Sequence, residues 1–251
     1  MPKIMTFFNS PRRIERVRHE LLMRDVTVTR IDQLSPGFLA ITFTCDSLAS
    51  FVSLSFDDHL KLMVPDSAGQ VQRRDFTPRS FDLQRRELTL EFALHAQGAA
   101  CQWARAAKVG DHATIGGPRG SMIIPLDYDW HLLVGDASAL PAIHRRLEEL
   151  PAGSHALVIA HVDAPADQRV FKTQANVTLQ WVDSASAFVQ AVRALTLPTA
   201  DGFAWGAGEA SVIAQVRDVL LNEKKIPLES TRISAYWKKG AADYQREDSP
   251  R

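Results

Sequence analysis

Apolar and polar residues alternate with a period of two through much of the first half of the chain, and a helical period enters in the second. Residues 26–31 alternate and carry β-branched side chains, which marks a strand. Residues 38–43 read the same way after the Ser35-Pro36-Gly37 turn, and residues 59–65 give a third strand stopped by Pro65. Residues 87–95 hold one of the clearest alternations in the chain, and residues 111–120 read as a turn, a short strand and a glycine-rich turn. The arginine-crowded residues 11–20 predict a solvated lead-in that could form a short helix. Short strands at this spacing, with turn signals between them, predict an antiparallel Greek-key barrel or sandwich. Between the last two strands, Gly98-Ala99-Ala100-Cys101 opens an alanine-rich helical run.

From Trp130 the rhythm changes. Residues 131–134 form a short buried strand, and Gly135-Asp136-Ala137-Ser138-Ala139-Leu140-Pro141 turns into a helix with Ile143, Leu147 and Leu150 on one face. Asp136 or Ser138 can cap that helix, and a proline is tolerated in its first turn. Strands follow at 155–162 and 177–182, a helix at 187–195, a strand at 203–205 running into a Gly206-Ala207-Gly208-Glu209 turn, another helix, and a last strand at 232–237. Alternation of this kind predicts a parallel sheet with covered faces. Ligands of such sheets bind outside the carboxyl ends of the strands, here residues 135–138, 161–163 and 206–209.

Composition narrows the class. The 251 residues are 45% hydrophobic and 23% charged, with 29 basic and 29 acidic side chains, so no global charge draws the chain to nucleic acid. Two cysteines, Cys45 and Cys101, cannot build an iron–sulfur cluster, a structural zinc site or a disulfide framework. No run approaches a membrane span, and residues 1–18 lack a secretory pattern, so a cytoplasmic protein is the expectation, with a monomer as the default.

Candidate chemistry centres on Arg73-Arg74-Asp75-Phe76-Thr77-Pro78-Arg79-Ser80-Phe81-Asp82. Arginine offers a planar fork for phosphate oxygens, an aromatic can lie against a planar heterocycle, and a threonine hydroxyl can reach a ring nitrogen. The alternative is an exposed basic turn beside a buried strand. The small residues 98–101 would leave amides pointing out of a helix start, which suits a pyrophosphate; the alternative there is an ordinary surface helix. The glycine pair at 206 and 208 lacks the third glycine and the downstream acid of a dinucleotide fingerprint, so it reads as helix packing. His19, His112, His144 and His155 read as surface or structural, and no G-x-S-x-G hydrolase signature occurs.

A barrel with an arginine-aromatic-threonine strand, a phosphate-cradling loop and a parallel α/β unit resembles the ferredoxin-reductase architecture. Asp58-His59-Leu60-Lys61-Leu62, Arg74-Asp75-Phe76-Thr77-Pro78, the Gly116 to Ser121 stretch, the Gly135 to Ala142 stretch and Ala235-Tyr236-Trp237 together resemble the siderophore-interacting protein family, FAD-containing ferric-siderophore reductases of bacteria. The likeness runs from about Arg13 to Gly240. It implies an FAD-binding Greek-key β-barrel over residues 13–126 and an NAD(P)H-binding α/β domain over 127–251.

For FAD the resemblance implies Arg74 on the phosphates, Phe76 on the isoalloxazine, Thr77 near its reactive edge and Arg79 as a second phosphate or ribityl candidate. Leu94, His95, Gly98, Ala99, Ala100 and Cys101 would hold the ribityl-pyrophosphate arm, with Trp103 on the adenine side. Asp136, Ser138, Ala139, Gly206, Gly208 and Glu209 would meet NAD(P)H. Lys61, Arg232, Lys238 and Lys239 are candidates for an anionic ferric siderophore. The family's aromatic at 76 is usually tyrosine; phenylalanine keeps the stacking and loses the phenol hydrogen bond. NADPH is favoured over NADH, with Asp163 a candidate for a ribose hydroxyl and Arg169 and Lys172 for a 2′-phosphate, and a ferredoxin could replace the nicotinamide as donor. No protein acid or base is required. Rival readings are a general flavin or quinone reductase and a non-redox siderophore carrier.

Overall fold

The computed structural model describes residues 14–94, 98–241 and 244. The first half is a curled antiparallel sheet of seven strands: β2 (Met23–Ser35), β3 (Phe38–Thr44), β4 (Leu60–Pro65), β5 (Val71–Phe76), β6 (Ser80–Asp82), β7 (Glu87–Ala93) and β8 (His112–Gly116). Their order is β5-β4-β8-β2-β3-β7-β6. Alternation decides which residues turn inward: Val26 and Val28, Leu60, Leu62 and Val64, and Leu88, Leu90 and Phe92 fill one core. Burying each large side chain stabilises by about 1.5–3 kcal/mol. The helix α1 (Ala99–Ala106) packs against β4, β5 and β7.

The expected antiparallel barrel takes the form of a curled half-barrel whose hydrogen-bonded order ends at β5 and β6, although Thr77-Pro78-Arg79 alone separates them in the chain. Pro78 has no N–H to give to a ladder across that gap. One expectation for this half is corrected. The arginine-rich lead-in is a strand, β1 (Glu15–Arg18), paired antiparallel with β9 (Gly120–Ile123) from Glu15↔Ile123 to Arg18↔Gly120. Its backbone partners lie about a hundred residues on, so nothing local in its charged sequence announces a strand.

The second half is a five-stranded parallel sheet of β10 (Trp130–Gly135), β11 (His155–His161), β12 (Asn176–Val182), β13 (Gly202–Glu209) and β14 (Thr231–Trp237), in the order β12-β11-β10-β13-β14. Helices α2 (Leu140–Glu149), α3 (Ala185–Ala194) and α4 (Ala210–Asp218) cover it. β13 continues as strand through Gly206-Ala207-Gly208-Glu209, where the sequence suggested a turn. Those glycines serve close approach: a Cβ at Gly206 would stand 2.6 Å from Val134 Cγ2.

The halves share a core. Phe38, Phe56 and Ile124 of the first bury in one cluster with Leu133, Leu140, Ile143, Phe203 and Trp205 of the second. Among the described residues, no helix is long and apolar enough to cross a membrane.

Candidate flavin and nicotinamide site

β5 carries the first part of the site. Its register sets Arg74 opposite Leu62 and Phe76 opposite Leu60, so Arg74 and Phe76 share one face and Asp75 takes the other. On that other face Lys61 Nζ reaches Asp75 Oδ1 at 2.7 Å. Phe76 is half-buried, with its ring centroid 4.5 Å from that of Phe92. Thr77 follows, buried, and Arg74 remains half-exposed with its guanidinium turned onto the Arg73 carbonyl.

α1 brings the second part to the same face. Ala100 and Ala104 bury in the barrel core, and the Trp103 ring lies 6.2 Å from both Phe43 and Phe92. The helix begins at Gly98, extended at φ −71°, with no side-chain cap and no acid in the first turn. Its start therefore presents amides and the positive end of the helix dipole with no acidic side chain in its own first turn. Cys101 donates its thiol to the Ala93 carbonyl at 3.2 Å, and Arg105 donates to the Leu94 carbonyl, which anchors the approach from β7. Leu94 is itself buried, its amide bonded to the Gly37 carbonyl, and His95 lies outside the described residues. A half-exposed guanidinium, a half-buried aromatic, a hydroxyl and an uncapped helix start make a donor set that fits a flavin dinucleotide.

Arg79 is placed differently from Arg74. Its guanidinium donates to both oxygens of Glu148 on α2, at 2.7 and 2.9 Å, and its Nε lies 3.2 Å from Glu91. Glu91 also takes Arg169, whose guanidinium lies over the Phe38 ring. Both guanidiniums thus pair with carboxylates at the seam between the halves. Nearby, Arg145 donates to Ser53 Oγ at 2.7 Å, to the Ser53 carbonyl at 2.9 Å and to the Pro78 carbonyl at 3.1 Å. α2 therefore grips the residue next to Thr77. Sequence reasoning missed Arg145, because its partners lie 67 and 92 residues away.

At the carboxyl ends of the parallel strands, Asp136 is buried. It receives the Ser138 amide and hydroxyl on Oδ1, and the Glu209 amide and the Trp237 indole N–H on Oδ2. Glu209 caps α4 by accepting from the Ser211 and Val212 amides. Ala139 is fully buried beside Gly135, where a Cβ would meet the Ala139 Cβ at 2.4 Å, so that pair serves the packing of α2 on β10. Gly206 and Gly208 lie within β13.

The expected substrate cations divide. Arg232 Nε lies 3.2 Å from the buried Asp57, which also accepts from the Tyr236 hydroxyl at 3.1 Å. Lys238 and Lys239 are exposed beyond the end of β14, and Lys61 is partly exposed beside Asp75. Asp163 is exposed, 3.5 Å from His161.

The Siderophore-interacting protein model matches residues 128–240, and the Siderophore-interacting FAD-binding domain model matches residues 27–73 and 68–122. An Escherichia coli protein named NADPH-dependent ferric-chelate reductase is 33% identical, over 91% of this chain and 98% of its own. The Vibrio cholerae ferric vibriobactin reductase ViuB is 27% identical, over 90% of this chain and 92% of its own. The crystal structure of a siderophore utilization protein from T. fusca superposes with a TM-score of 0.86 at 26% identity, covering 92% of this chain and 99% of that one. By its matched domains and its full-length relatives, the chain belongs to the siderophore-interacting protein family.

Proposed function

We propose that the protein is an FAD-dependent ferric-siderophore reductase fed by NADPH. The observation that carries this reading is the full-length likeness to a relative named NADPH-dependent ferric-chelate reductase, falling on a chain whose β5 and α1 present the donor set described above. FAD, when bound, supplies the conversion of a two-electron hydride into single electrons for Fe(III).

The chain's own residues would hold and orient. Arg74 pairs with the phosphates, and the amides at the start of α1 take the pyrophosphate, where they need no counter-charge of their own. Phe76 sets the plane of the isoalloxazine, and Thr77 presents its hydroxyl to a ring nitrogen. Iron is a substrate atom, held by its siderophore. Lys61, Lys238 and Lys239 supply positive charge to an anionic ferric complex, while Arg232, bonded to Asp57, holds β14 to the loop before β4.

Steady-state assays separate the rivals. NADPH oxidation should depend on a ferric tris-catecholate or ferric tris-hydroxamate, with Fe(II) captured by a chelator. Turnover that runs equally fast with free flavin or a quinone, and gains nothing from ferric complexes, would sink the substrate assignment.

A further inference from the structure

The strand order of the parallel sheet reverses at β10: β11 and β12 lie to one side of it, β13 and β14 to the other. In open α/β sheets a ligand enters the crevice at that reversal, and a pyrophosphate takes the amides at the following helix start. Here the crevice already holds an anion, and the anion is the protein's own.

Asp136 follows directly on β10. Its Oδ1 accepts from the Ser138 amide at 2.9 Å and from the Ser138 hydroxyl at 2.5 Å. Its Oδ2 accepts from the Glu209 amide, at the end of β13, at 2.7 Å, and from the Trp237 indole, at the end of β14, at 2.9 Å. The bonds to Ser138 are enough to cap the local turn. Those to Glu209 and Trp237 reach across the reversal and lace the crevice. Gly208 belongs to the same fit, because a Cβ there would stand 2.6 Å from Asp136 Oδ2. β13 can pass the carboxylate only without a side chain.

We propose that Asp136 is a specificity-determining residue that fills, with its own carboxylate, the anion seat where a dinucleotide pyrophosphate would bind, and so keeps the nicotinamide donor weakly held. An arriving pyrophosphate meets a like charge and finds four donors taken, two backbone amides among them. Each donor it fails to win is a charge-assisted bond lost. Asp136, which the sequence placed among the NAD(P)H contacts, thus works against them. The inference rests on the reading of the chain as an NAD(P)H-fed reductase.

The test is titration calorimetry and thermal melting with inorganic pyrophosphate and NADP⁺ on the flavin-loaded protein. Asp136→Ser keeps a capping oxygen and removes the charge; Asp136→Ala empties the seat. Wild type should show no pyrophosphate binding up to millimolar concentration. Both variants should bind it, melt higher in its presence, and hold NADP⁺ about tenfold more tightly than wild type. Trp237→Phe, which leaves the carboxylate in place, should show no such gain. The proposal falls if Asp136→Ser melts cooperatively yet binds NADP⁺ no tighter than wild type, or if Trp237→Phe gains as much. If Asp136→Ala does not fold, Asp136→Ser decides. Failure of the underlying reading looks different: wild-type flavin would not be bleached by NADPH, while Asp136→Ser would still gain pyrophosphate.

Discussion

Arg74 and Phe76 lie two residues apart on one face of β5, so replacing each in turn separates charge from stacking. A charge-assisted hydrogen bond is worth about 1.5–3 kcal/mol, so Arg74→Ala should weaken FAD binding about tenfold to a hundredfold. Arg74 is half-exposed, and the melting temperature of the flavin-free protein should barely move. Fluorescence titration with FAD checks the first point and calorimetry the second; unchanged affinity would remove Arg74 from the phosphate site. Phe76→Tyr restores a phenol where the family usually has one. It should tighten FAD by no more than about tenfold, the reach of one neutral hydrogen bond. Weaker binding in Phe76→Tyr would mean that the ring edge at 76 faces apolar surroundings in the complex.

α2 joins the two halves alongside the Arg169–Glu91 and Arg232–Asp57 pairs, and its contacts were the least legible part of the sequence. It presents Arg145 to Ser53 and Pro78, Glu148 to Arg79, and Arg146 to the face of Phe56 at 4.9 Å. Arg145→Met would leave buried acceptors without a donor, and urea unfolding should show a loss of about 3 kcal/mol. A loss below about 0.5 kcal/mol would make Arg145 an ordinary surface residue. His144, on the same helix, is held to a pKa of about 4, first by burial and then by the nearby Arg79. Its Nε2 accepts from the Lys172 amide at 3.3 Å, as a neutral ring can.

The folded state thus refuses a proton that the unfolded chain takes below its ordinary value of 6.5. Stability from His144 is complete above that pH and is lost as pH falls from 6.5 towards about 4. Glu148 acts in the same sense: burial alone would raise its carboxyl, but the Arg79 hydrogen bonds and charge, together with His144 and Lys172, bring it below its ordinary value. His144→Phe should flatten the pH profile of unfolding in that window, and an unchanged slope would exclude His144. The strands β2, β3, β4 and β7 were legible because each carries its own period-two code, and β10 to β14 because apolar runs alternate with helical stripes. β1 was not, since its pairing with β9 depends on backbone partners far along the chain. Arg74 and Arg79 look alike in sequence. Only the fold assigns one to a half-exposed strand face and the other to Glu148. Asp136 could be read as a cap, but not as a lace reaching Glu209 and Trp237.

Across the whole molecule, the barrel-like sheet and the parallel sheet bury Phe38, Phe56 and Ile124 together with Leu140, Ile143 and Trp205 in one cluster. Calorimetry of the flavin-free protein should therefore give one unfolding transition, and two resolved transitions would show that the halves are independent. FAD should raise that transition with concentration, since it binds only the folded chain. The seam also ties Pro78, the residue after Thr77, to Arg145 of α2, so one hydrogen bond links the end of β5 to the second half. The most direct measurement is the visible spectrum of the purified, FAD-loaded protein under anaerobic conditions, first with NADPH and then with a ferric siderophore and a ferrous trap. The flavin bands should bleach with NADPH and return with the ferric siderophore as Fe(II) appears in the trap. Bands that bleach and stay bleached in the presence of ferric siderophores of both the catecholate and hydroxamate classes would contradict ferric-siderophore reduction by this protein.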